Sequence, residues 1–98
     1  MSSDLLQADA AALESAGRDF VTAGDETQGA MTRMRNHVNN LTGSFQGSAA
    51  QAFYSKMDVL FQEMQRLIEE ITEMGNDLQT TATRVRQLQA EAENLLRD

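Results

Sequence analysis

The sequence predicts an all-α protein: an antiparallel two-helix hairpin, with helices at about 10–40 and 48–95, that dimerises into a four-helix bundle. Three observations carry this reading. The 98 residues contain no proline, so nothing removes a backbone donor or clashes with a preceding helical turn. Apolar and small residues recur in steps of three and four along two long segments, the signature of helices with one apolar stripe. A single cluster of breakers, residues 41–48, separates those segments, and two helices joined by one turn return antiparallel.

The first helix carries the stripe Leu13, Ala16, Phe20, Ala23, Thr27, Ala30, Met34, Val38 and Leu41. Asp9 precedes it as an N-cap, and Asp9, Glu14 and Asp19 place negative charge towards the positive end of the helix dipole. Gly17, Gly24 and Gly29 interrupt the segment, each costing about 1 kcal/mol relative to alanine in a helix interior. That cost points to close helix approach rather than to bending.

Residues 41–48, Leu-Thr-Gly-Ser-Phe-Gln-Gly-Ser, turn the chain. Gly43 is expected to end the first helix in a left-handed C-cap, and Ser48 or Ser44 to cap the second. The second helix has the longer stripe: Ala49, Phe53, Met57, Leu60, Met64, Leu67, Ile71, Met74, Leu78, Ala82, Val85, Leu88, Ala92 and Leu95. A further apolar row flanks it at Phe61 and Ile68, with Val59 nearby and Met31 on the first helix. Two helices alone have no use for so wide an apolar surface, so Met31, Leu60, Phe61, Met64, Leu67, Ile68 and Ile71 are the candidate dimer interface.

The composition excludes several function classes. With 15 acidic and 8 basic residues the formal net charge is −7, and the bases are scattered, so no phosphate-neutralising patch forms and nucleic acid is not an expected partner. No apolar run approaches the roughly 20 residues of a membrane span. The first residues lack a basic segment followed by an apolar one, which argues against a Sec signal peptide. There is no cysteine and no base–nucleophile pair, so no catalytic site is assigned and the chain is not expected to be an enzyme. Glu63, Glu69, Glu70, Glu73 and Asp77 invite a di-iron reading, but such a site needs Glu-x-x-His from two helices. The one histidine, His37, follows Met34 at that spacing, so no metal and no cofactor is expected.

Residues 41–53, Leu-Thr-Gly-Ser-Phe-Gln-Gly-Ser-Ala-Ala-Gln-Ala-Phe, resemble the hairpin signature of the WxG superfamily of early-secreted-antigen-like proteins: Trp-x-Gly followed by Ala-Ala-x-x-Phe opening the second helix. The turn motif is then Gly43, Phe45, Gln46 and Gly47, and the helix start is Ala49, Ala50 and Phe53. Phe45 stands where the family usually has tryptophan, which keeps a ring for the notch between the helices and loses the indole donor. The opening residues 3–9 resemble the extended lead-in of many members, which implies an extended segment at 1–8; the length of 98 residues leaves room for one domain, 1–98, and the polar stretch from Gln79 to Asp98 is expected to fray or to be ordered by a partner.

The resemblance implies a non-enzymatic interaction module: a substrate or partner subunit of a type VII, ESX-like secretion system. Such a protein is made in the cytoplasm of a Gram-positive or related bacterium and exported as a folded homodimer or heterodimer with another hairpin. Members that carry the export signal have Tyr-x-x-x-Asp/Glu near the end of the second helix; here Gln89 and Glu93 keep the spacing without the tyrosine. A signal-poor hairpin resembles the passive member of a co-exported pair. Two other readings compete: a membrane-active secreted effector, which the acidic charge disfavours on anionic lipid, and a generic helical adaptor or targeting chaperone for a toxin.

Overall fold

Two helices account for nearly the whole chain: α1 at Ser3–Leu41 and α2 at Ser48–Leu96. The computed structural model describes the backbone of residues 3–97 and the side chains of residues 9–97. The helices return antiparallel and form a rod of 78 × 16 × 14 Å, in keeping with about 73 Å for 49 helical residues at 1.5 Å each. A rod two helices wide has a single seam and no interior beyond it.

That seam repeats every seven residues. On α1 its buried positions are Ala10, Gly17, Gly24 and Met31, with Val38 half-buried; on α2 they are Phe61, Ile68, Gly75 and Ala82, with Tyr54 and Gln89 half-buried, and Ala50 is buried outside this repeat at the start of α2. The Gly17 and Gly75 backbones meet, and a Cβ built on either would lie 2.7 Å from the other's carbonyl oxygen. Stepping by heptads in opposite directions from this pair brings Gly24 to Ile68 and Met31 to Phe61. Met31, Phe61 and Ile68 form the buried cluster, with Val38, Met57 and Met64 packed against it. Side chains therefore grow larger towards the turn, while the distal half closes on glycine and alanine.

Several expectations are corrected here. Helix α1 begins at Ser3, so Asp9 is an interior residue and not an N-cap, and residues 3–8 are helical in place of an extended lead-in; positions 1 and 2 lie outside the described residues. The physical reason is local: Leu5, Leu6, Gln7 and Ala8 are good helix formers, and no proline or glycine separates them from the stripe. The left-handed glycine is Gly47 (φ 109°) and not Gly43. Helix α1 ends instead through bonds from the Ser44 and Phe45 amides to the Leu41 carbonyl, at 3.0 and 2.7 Å. Neither serine side chain caps α2, whose N-cap is Gly47 itself.

Met31, Phe61 and Ile68 were expected at a dimer interface and are instead the core of the hairpin, only 1%, 4% and 6% exposed. The richest apolar stripe lies one row away from the true seam. Close approach of two helices selects small residues, and glycine and alanine add little to a hydrophobic pattern, so the seam is the less conspicuous row. Gly17 and Gly24 do serve packing, whereas Gly29 meets only the Arg33 guanidinium, at 3.6 Å.

Candidate functional site

The two sides of the seam differ in chemistry. On one side the flanking heptad rows are Glu14, Val21, Gln28 and Arg35 from α1, and Asp58, Gln65, Thr72, Gln79 and Arg86 from α2. All but Val21 are polar, and these side chains seal the seam. Glu14 pairs with Arg86 across the helices and with Arg18 on its own helix, at 3.0 Å for the latter. Hydrogen bonding and charge from Arg86, then Arg18, hold the Glu14 carboxyl below its ordinary value. The Arg35 guanidinium lies 5.1 Å from the centre of the Phe61 ring, over a recess it shares with Asp58 and Gln62.

The other side is apolar and open. Next to the seam run Leu13, Phe20, Thr27 and Met34 on α1, and Met57, Met64, Ile71, Leu78 and Val85 on α2. Beyond them lie the small residues Ala16, Ala23 and Ala30 on α1 and the large residues Leu60, Leu67, Met74 and Leu88 on α2. Phe20, Met74, Leu78 and Thr81 line one groove, which shows the two helices presenting these rows to the same side. Leu60, Leu67 and Met74 are 42%, 51% and 57% exposed. Thr27 and Thr81 interrupt the rows in sequence but hardly in chemistry, because their hydroxyls donate to the carbonyls of Ala23 and Asp77, at 2.7 and 2.9 Å.

Of the expected interface residues, this face therefore holds Leu60 and Leu67 exposed, and Met64 and Ile71 half-buried; the other three lie in the core. A soluble chain rarely leaves so long an apolar surface uncovered.

The turn is built around aromatic rings. Phe45, Phe53 and Tyr54 meet edge to face with centroids 5.6 to 6.0 Å apart, and the Tyr54 hydroxyl donates to the Phe45 carbonyl at 2.7 Å. Gln46 reaches back to the Thr42 carbonyl at 3.5 Å. Gly43 is open to solvent, and Gly47 carries the backbone into α2 in a conformation only glycine adopts easily. At the start of α2, Ala50 is buried, Phe53 half-buried and Ala49 exposed. Tyr54, to which no role is assigned from sequence, is the residue that ties the turn to α2; the aromatic pair Phe53 and Tyr54, eight and nine residues beyond Phe45, is the signal that could have found it. Gln89 is half-buried at the end of the seam and Glu93 is exposed one turn later.

Among the described residues no group of three or more His, Asp or Glu side chains could hold a metal ion, and no helix is long and apolar enough to cross a membrane. No curated protein and no solved structure matches the chain. The family model described as "Proteins of 100 residues with WXG", WXG100, matches residues 5–90, a span that holds the seam, the open face and the aromatic turn. The chain accordingly belongs to the WXG100 family, whose members are non-enzymatic proteins secreted as type VII substrates.

Proposed function

We propose that this hairpin works as one half of a four-helix bundle, pairing through its open apolar face with another hairpin and travelling through type VII secretion as the folded pair. The observation that supports this reading is the asymmetry of the seam. One flank is closed by the Glu14–Arg86 pair and its polar neighbours, while the other leaves Leu60, Leu67 and Met74 about half exposed in a row. Completing the burial of each is worth about 1 kcal/mol on the scale of 1.5–3 kcal/mol for a whole side chain. Summed over both hairpins, this burial favours association. The face also suits a bundle geometrically, since α2 offers a ridge of large residues and α1 a trough of alanines beside it.

The test is molar mass by light scattering across a dilution series, for the chain alone and with a second hairpin protein encoded beside it, repeated with Leu60→Ser/Leu67→Ser. Pairing in either mixture that the double substitution abolishes, while the helical signal of the hairpin persists, is the expected result. Export should fall with it, since the pair is the exported species. A parent chain that stays monomeric in both mixtures, or a double variant that pairs and is exported as the parent is, overturns the reading.

A further inference from the structure

We infer that the partner covering the apolar face is a hairpin with a basic rim, and not a second copy of this chain. The inference rests on the pairing reading above and concerns which partner the face selects. The outer edge of the face on α2 is the heptad row Lys56, Glu63, Glu70, Asp77, Arg84 and Glu91, and the edge on α1 carries Asp19, Glu26 and Arg33, all of them exposed. Asp77 lines the apolar groove directly, beside Phe20, Met74 and Leu78. The middle of the α2 edge is thus three acids at successive heptads, and none of the three is engaged in an ion pair among the described residues.

In any two-fold pairing of identical copies through this face, the α2 edge must run along either the α2 edge or the α1 edge of the other copy. With the two copies level along the rod and their turns at one end, the first arrangement sets Glu63, Glu70 and Asp77 against their own counterparts, and the second places Glu70 between the levels of Asp19 and Glu26, with Arg33 beyond Glu63. A single exposed charge pair contributes little, but a row of like charges along one interface is the usual means by which a hydrophobic surface rejects a wrong partner. The apolar rows supply the drive and the rims select. A hairpin with lysines or arginines on its edges would turn the same row into attraction.

The experiment uses the full chain and a probe made from it, Asp19→Lys/Glu26→Lys/Glu63→Lys/Glu70→Lys/Asp77→Lys, which keeps the apolar face and makes both edges basic. At about 0.1 M salt the parent mixed with this probe should form a one-to-one complex at least about tenfold tighter than the parent's self-association. Raising salt to about 1 M, which shortens the Debye length from about 10 to about 3 Å, should weaken the mixed pair and strengthen self-association. The neutral variant Glu63→Gln/Glu70→Gln/Asp77→Asn should self-associate more tightly than the parent at low salt. Equal affinity for parent and probe, or parent self-association that is tight and independent of salt, overturns the inference. Loss of the mixed complex on Leu60→Ser/Leu67→Ser ties it to the face. A mixed complex that survives those substitutions overturns the face itself as the binding surface, a separate failure that leaves a charge effect with no apolar seat.

Discussion

Gly17 and Gly75 touch through their backbones: a methyl group on Gly75 would sit 2.7 Å from the Gly17 carbonyl oxygen, 2.8 Å from Val21 Cγ2 and 3.1 Å from Phe20 Cβ. This contact sets the register of the hairpin and the distance between its helices. Gly75→Ala gains about 1 kcal/mol of helix propensity and meets an overpacking cost of about 1–3 kcal/mol. With a backbone oxygen as the obstacle the cost prevails, and a net loss of up to about 2 kcal/mol is expected in urea unfolding. Gly29→Ala supplies the contrast, since only the flexible Arg33 guanidinium is near. It should stabilise by up to about 1 kcal/mol. Substitutions with effects of the same sign would show that the seam is looser than this geometry requires.

The two helices, their antiparallel return and the position of the turn were legible in the sequence because each rests on short-range pattern: three-and-four spacing, the lack of proline, one breaker cluster. The identity of the seam was not. Phe61, Ile68 and Met31 stood out as surplus hydrophobes because the row through Leu60, Leu67 and Met74 is richer in large apolar residues, yet helix contact favoured the row that also holds Gly17, Gly24, Gly75 and Ala82. The seven-residue recurrence of Ala10, Gly17, Gly24, Met31 and Val38 contained that information. The cap at Gly47 rather than Gly43 was illegible, since two glycines four residues apart offer the same conformational freedom.

Those two glycines separate cleanly in a substitution experiment. Gly47 has φ 109° and ψ −177°, a region in which a side chain costs roughly 1–3 kcal/mol. Gly43 has negative φ and open space around its Cβ direction. Gly47→Ala should lower the unfolding free energy by about that amount and leave the circular dichroism of the folded rod unchanged, while Gly43→Ala should fall within about 0.5 kcal/mol of the parent. Equal effects at the two positions would mean that Gly47 is not what bends the chain into α2.

Phe45 occupies the notch at the turn with 38% of its surface exposed, so its truncation removes only part of the 3–5 kcal/mol typical of a buried phenylalanine. Phe45→Ala should cost roughly 2 kcal/mol. Tyr54→Phe keeps the ring contacts and deletes the hydroxyl that donates to the Phe45 carbonyl at 2.7 Å, for about 0.5–1.5 kcal/mol. Because that bond connects the two positions through the Phe45 backbone, which alanine retains, the two losses should be near additive; strong coupling in a double-mutant cycle would show that the ring itself positions the carbonyl.

The Glu14 carboxyl is held below its ordinary value of 4.5 by hydrogen bonding and charge from Arg86, with a smaller part from Arg18. A carboxyl whose folded-state value is depressed contributes stability that is fully present above its unfolded value and is lost as pH falls through the folded one. Glu14→Gln should therefore lower the melting temperature at about pH 7 and make progressively less difference below about pH 4, where the parent loses the same charge. The pair is surface-exposed, with Arg86 and Glu14 side chains 45% and 35% accessible, so the gap at neutral pH should also narrow as salt is added. The ion pair bridges α1 and α2 on the closed flank, so its loss should leave association through the apolar face unaffected at neutral pH. A melting-temperature gap that stays constant from neutral to acid pH would assign the effect of Glu14→Gln to packing and not to charge.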